Sequence, residues 1–146
     1  MIRLLQNDAM LRKASVAFEP SPNLPVVLGD RVQLYQVVMN LMVNGLEAAQ
    51  QVPGDRWLKV RTSGSSGGGV EFTVEDSGKG IAESDLARVF EPFFSTKPDG
   101  LGMGLSISRS IVQAHSGRLW AENIAGGGAL FRCVLPAAQQ TAAAAR

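Results

Sequence analysis

Cysteine is almost absent from this sequence. Cys133 stands alone, so no internal disulfide can form, and the usage suits a reducing compartment. Long apolar runs are missing as well; none approaches the roughly 18 residues of a membrane span. Arg3, Gln6, Asn7 and Asp8 break up the N-terminus, which does not read as a secretory leader. Excess charge is lacking too. A net charge of +1 gives no global field, so neither a nucleic-acid partner nor direct membrane contact is expected. What is present is an ordinary globular balance, 45% hydrophobic and 18% charged. The 146 residues fit one domain, able to bury roughly two-thirds of the surface of its unfolded chain.

Periodicity supplies the elements. Residues 2–14 read as a helix, "SVAFE" as a strand, and "PSPNLP" as a proline-rich loop before a short extended "VVL". Asp30 is a good N-cap for the longest helix, over 31–51, which Pro53 and Gly54 end. "RWLKVRT" and "GVEFTVED" alternate as strands around the turn "SGSSGGG". A short helix is expected over 83–90, a loop over 91–102 and a helix over 103–115. "GRLWAENI" and "ALFRCVLP" form a second hairpin around "AGGG", with Trp57 and Trp120 packing on the sheet. Clustered strands favour an α+β two-layer sandwich: a mixed, mostly antiparallel sheet on about three helices. The domain should run over 1–136, with 137–146 a disordered tail.

Three stretches could carry chemistry. Asn40 and Asn44 share a helix face with Val37, Leu41 and Ala48. Two readings stand: ordinary satisfied amides, or amide oxygens facing Mg²⁺ and phosphates, since Mg²⁺ takes few protein ligands. "EDSGKGI" ends a strand at Asp76 and turns through Gly78 and Gly80. It is either a plain Asp/Gly turn or a base pocket in which Asp76 accepts from a base amine. "DGLGMGLSISRS" places Gly100, Gly102 and Gly104 just before a helix. Such a helix start offers free N–H groups, and residues without side chains let phosphate come close; a flexible turn is the alternative. Lys97 upstream is either a solvated surface lysine or a cation for a terminal phosphate.

Order and spacing are more specific than any one stretch. "QVVMNLMVNGLEA", "EDSGKGI", "FEPFFSTKPDGLGMGLSIS" and "AGGGALFRCVLP" follow one another along nearly the whole chain. This pattern resembles the ATP-binding catalytic domain of bacterial sensor histidine kinases. That is a branch of the superfamily shared with gyrase-type topoisomerases, heat-shock chaperones and mismatch-repair ATPases. "NxxxNxLEA" with "FEPFFSTK" is most similar to nitrogen- and oxygen-sensing kinases. The resemblance implies ATP and Mg²⁺ as cofactors. It implies Asn44 as the Mg²⁺ ligand, with Asn40 close to the phosphates. Asp76 would hold the adenine amine, with Gly78, Gly80 and Ile81 lining the base pocket. Phe90, Phe93 and Phe94 would anchor the ATP lid. Thr96, Lys97, Gly100, Leu101, Gly102, Met103, Gly104 and Leu105 would form the lid and phosphate cradle.

Departures from the pattern carry their own implications. Gly45 stands where the motif usually has alanine, and glycine inside a helix costs about 1 kcal/mol against alanine. Leu130 replaces a frequent hydroxyl residue, and Glu47 a lysine of other subfamilies, which leaves Lys97 as the phosphate cation. Relatives that hydrolyse ATP rapidly carry a glutamate where this chain has Asn40, and an amide cannot take a proton from water. Transfer to a protein histidine is therefore expected. The resemblance places that histidine on a separate dimerising helical domain, ahead of this chain in a longer protein, with a response regulator downstream. His115, the one histidine here, is expected to favour a helix C-terminus instead of receiving phosphate. The isolated domain is expected to be a monomer and cytoplasmic, whether or not its parent is a membrane-anchored sensor. A nucleotide-sensing module without transfer is the alternative. A serine kinase of the same superfamily is disfavoured by the "FEPFFSTK" box.

Overall fold

A computed structural model describes residue 7, residues 13–95 and residues 102–139. The helix expected over 2–14 falls almost wholly outside this range, as do Thr96, Lys97, Gly100, Leu101 and residues 140–146. In chain order the elements are β1 (Ser15–Pro20), α1 (Arg31–Gln50), β2 (Trp57–Gly64), β3 (Val70–Asp76), a 3-10 turn (Glu83–Asp85), α2 (Gly104–Ala114), β4 (Arg118–Asn123) and β5 (Ala129–Leu135).

The five strands form one sheet in the order β1-β2-β3-β5-β4. The β1–β2 pair is parallel, because α1 carries the chain back between them; the other pairs are antiparallel. Both α-helices cover the same face, giving the two-layer α+β sandwich expected. Alternation along each strand sends Leu58, Val60, Val74, Leu119, Phe131 and Cys133 to the helices. There they meet Val37, Leu41, Met42 and Leu46 of α1 and Ile111 and Val112 of α2. Phe90 reaches this core edge-on to Phe131, with ring centroids 6.2 Å apart.

The opposite face is charged. Glu19, Arg61, Thr73, Arg132 and Trp120 lie directly across all five strands. Arg132 pairs with Glu71 at 2.7 Å and with Glu122 at 3.2 Å. Trp57 and Trp120 pack on this outer face, each stacked against a cation, Lys59 at 5.5 Å and Arg118 at 4.9 Å.

Local chemistry explains the boundaries. The Asp30 carboxylate accepts from Val32 N–H at 2.9 Å and Gln33 N–H at 3.0 Å, a side-chain cap that starts α1. At the end of α2, the His115 ring accepts from Asp30 N–H through Nε2 at 2.9 Å, and its Nδ1 lies 2.7 Å from the Ile111 carbonyl. A carbonyl only accepts, so Nδ1 is the ring atom that donates to it. One imidazole thereby ties the end of α2 to the start of α1.

The extended residues 26–28 join no sheet: Val26 and Leu28 are 77% and 83% exposed, and Pro25 and Gly29 flank them. One expectation needs correction. The helix expected over 83–90 is only the 3-10 turn, followed by further turns. Ala82 at its start gives no side-chain cap, and Pro92 follows too soon for a longer helix. Of the expected tail, Ala138 donates its N–H to the Val26 carbonyl at 2.7 Å.

Candidate nucleotide site

The central strand β3 ends at Asp76, and the carboxylate points to the helix side, 1% exposed. Its Oδ1 accepts from Gly78 N–H at 2.8 Å and from Ala129 N–H at 3.4 Å. A buried carboxylate held by backbone donors keeps a fixed direction. The chain then turns beneath α1. A Cβ at Gly78 would sit 3.0 Å from Ala48 of the helix and 2.8 Å from Asp76 Oδ1, so a bare backbone is needed there. Gly80 adopts φ +80°, in the left-handed region. Ile81 packs against the core.

Asn40 and Asn44 stand one turn apart on α1, both half-buried. Asn40 Nδ2 donates to the Gly104 carbonyl at 3.3 Å and to Ser108 Oγ at 3.2 Å. Because that carbonyl only accepts, the amide nitrogen must face α2, which leaves Oδ1 as the atom not spent on the helix. Asn40 is thereby joined to the first turn of α2. Met103 at the N-cap makes no side-chain capping bond there, and that helix end carries partial positive charge. Leu105 lines the core beside it.

Phe93 and Gly102 meet at a neck beside the start of α2. Phe93 N–H donates to the Gly102 carbonyl at 2.9 Å. Gly102 has φ +68°, and a Cβ there would lie 2.5 Å from the Phe93 carbonyl carbon. Phe93 itself has φ +65° and is 79% exposed, an uncommon conformation for a bulky residue. Phe94 stacks under Arg88 at 4.6 Å, and Arg109 of α2 lies over Phe90 at 5.4 Å.

The structure thus brings Asn40 to Gly104 at the start of α2 and Asp76 to Gly78 beneath α1, with Asn44 one turn from Asn40 and Phe94 and Gly102 at the neck. Among the described residues no group of three or more His, Cys, Asp or Glu could hold a metal. A cation here would need amide oxygens and ligands brought by a bound molecule, which suits Mg²⁺. Sequence reasoning missed Ser108, Asn123 and the Ala129 N–H. Ser108 carries a weak signal, a serine on the apolar face of α2; the other two carry none without the sheet pairing.

A family model described as histidine kinase-, DNA gyrase B- and HSP90-like ATPase matches residues 29–139. The chain belongs to this family. It is an ATP-binding catalytic domain of the sensor histidine kinase type. The sensor protein FixL of Bradyrhizobium diazoefficiens is 44% identical over 129 residues, which cover 88% of this chain and 25% of FixL. The chain therefore spans about a quarter of that relative's length. A nucleotide-free catalytic domain of the histidine kinase ThkA superposes with TM-score 0.79 and 30% identity, over 91% of this chain and 86% of that one. Full-length ShkA in complex with AMPPNP superposes equally well, TM-score 0.79 and 30% identity, over 94% of this chain and 29% of ShkA. Among the described residues no helix is long and apolar enough to cross a membrane.

Proposed function

We propose that this chain binds Mg²⁺-ATP and supplies its γ-phosphoryl group to a histidine on a dimerising helical domain of a two-component sensor. The observation that carries the base assignment is Asp76, a buried carboxylate held by two backbone donors where the sheet meets α1. A carboxylate fixed in that place suits the exocyclic amine of adenine, and Gly78, Gly80 and Ile81 would line the ring. ShkA, similar over 94% of this chain, was solved with an ATP analogue, which supports the same use of the fold.

Asn44, with Asn40 beside it, would hold Mg²⁺ together with phosphate oxygens. The ion would neutralise charge on the phosphates when bound. Asn40 Oδ1 is the amide atom left to that side once Nδ2 is spent on α2. The N–H groups that begin α2, and Thr96, Lys97, Gly100 and Leu101 of the loop, would meet the phosphate chain. In the transfer, the acceptor imidazole attacks the γ-phosphorus, the bond to the bridging oxygen breaks, ADP departs and the ring proton goes to solvent. The chain contributes position and charge. Lacking a carboxylate at position 40 to take a proton from water, it hydrolyses ATP slowly.

His115 is no acceptor in this reading, since both ring nitrogens are engaged. The domain acts in the cytoplasm as a monomer, and a response regulator is served through the acceptor domain. Mixing the chain with radiolabelled ATP, with and without a supplied histidine-bearing helical hairpin, tests transfer. Acid-labile label on the hairpin alone is expected. Binding without label on any hairpin would favour a nucleotide-sensing module, and label on His115 would overturn the assignment.

A further inference from the structure

We infer that Asn123 is a positioning residue for the base pocket, and that its side-chain amide sets the preference for adenine by fixing the backbone of residues 78–81. This rests on the nucleotide reading above. Asn123 is the last residue of the edge strand β4. Its Oδ1 accepts from Ile81 N–H at 2.7 Å, and its Nδ2 donates to the Ile81 carbonyl at 2.6 Å. One side chain satisfies both backbone groups of one residue, as a neighbouring strand would. The pairing also decides the amide orientation, since each atom of Ile81 accepts only one assignment. Aspartate in this place would lack the donor, and alanine would lack both groups.

Gly80 is the second observation. A Cβ there would lie 2.8 Å from Asn123 Oδ1, so any side chain at position 80 would press on the amide. Gly80 and Asn123 therefore work as a pair. The third observation is the hairpin that carries Asn123. Its other strand supplies the Ala129 N–H to Asp76, and Gly128 lies against the Asp76 carbonyl. The turn is thus tied at one end through Asp76 to Gly78, and at the other through Asn123 to Ile81. A base between these ties meets walls whose separation is set by side chains, not by the turn alone. Release of one tie should blur the fit to the ring while leaving the phosphate side unchanged.

The test is calorimetric titration of the full chain and of Asn123→Ala, Asn123→Asp and Gly80→Ala with non-hydrolysable ATP and GTP analogues, well below each melting temperature. The unaltered chain should prefer the ATP analogue. Asn123→Ala should bind it about tenfold more weakly while its affinity for the GTP analogue moves by less than about twofold. Asn123→Asp should fall at least as far, since it faces the Ile81 carbonyl with an oxygen. Gly80→Ala should lose preference in the same direction from the other side of the contact. An ATP-to-GTP ratio unchanged in folded Asn123→Ala would overturn the proposal, even if the melting temperature dropped. Absence of saturable binding by the unaltered chain would instead overturn the nucleotide reading on which it rests.

Discussion

At the proposed base end, hydrogen bonds tie the turn after β3 to the folded sheet. Asp76 is buried, Ala129 belongs to the neighbouring strand, and Asn123 holds Ile81 by two short hydrogen bonds. At the neck, Phe93 and Gly102 meet through one backbone bond, and the rings of Phe94 and Phe90 lie against exposed arginines. Burial and cross-strand pairing preorganise the first region. The second rests on local backbone geometry, with Phe93 and Gly102, bonded to each other, both at positive φ. In the proposed site, the base would meet groups already fixed by the folded sheet.

The largest expected effect lies at the base end. Asp76→Asn should weaken ATP and adenosine alike by about 10- to 100-fold, the cost of exchanging a charged acceptor for an amide. Circular dichroism should show the fold retained, since the amide can still accept from Gly78 N–H. Equal loss of ATP but unchanged adenosine would move Asp76 to the phosphate side and erase the contrast. Gly102→Ala is the matching change at the neck. The strained φ and the close Phe93 carbonyl should cost about 1–3 kcal/mol locally. Titration should show weakened ATP with adenosine almost unaffected.

Gly45 sharpens the account from the core. A Cβ there would run into the Leu58 side chain, which is fully buried between α1 and β2. Close approach of helix to sheet, which also sets the Gly78–Ala48 contact, therefore explains a residue that helix propensity disfavours. Gly45→Ala should gain about 1 kcal/mol of propensity and lose about 1–3 kcal/mol to overpacking, a net fall in urea midpoint. Leu58→Val in the same chain should return part of it.

Most of the fold was legible because it rests on local rules. The strands alternate, Asp30 caps α1 by its own carboxylate, and the hairpin turns are rich in glycine. The error arose where local pattern met no partner: 83–90 has helical spacing but no cap. In the site, residue identity pointed to Asn40, Asn44 and Asp76, whose types are chosen by chemistry. Asn123 was invisible because its partner Ile81 lies 42 residues away in sequence and only the sheet joins them. Gly45 had no account for the same reason, since Leu58 reaches it through tertiary packing alone.

A smaller effect concerns pH and touches neither end of the site. Burial pushes the Cys133 thiol up from 9.0 to about 12. The folded chain keeps that proton where the unfolded chain has lost it. Stability from this group is full below about pH 9 and is lost as pH rises toward 12. Urea unfolding at pH 8 and pH 10.5 should show the fall. Cys133→Ala should flatten it, and nucleotide affinity per folded chain should not follow it.

The most direct measurement is calorimetric titration of the unaltered chain with a non-hydrolysable ATP analogue, with and without Mg²⁺, and with adenosine alone. The proposed site, with its base end held by the folded sheet, predicts one nucleotide per chain. Mg²⁺ should tighten the triphosphate, and adenosine should bind weakly, with no response to Mg²⁺. Absence of saturable binding, or adenosine binding that depends on Mg²⁺, would contradict it.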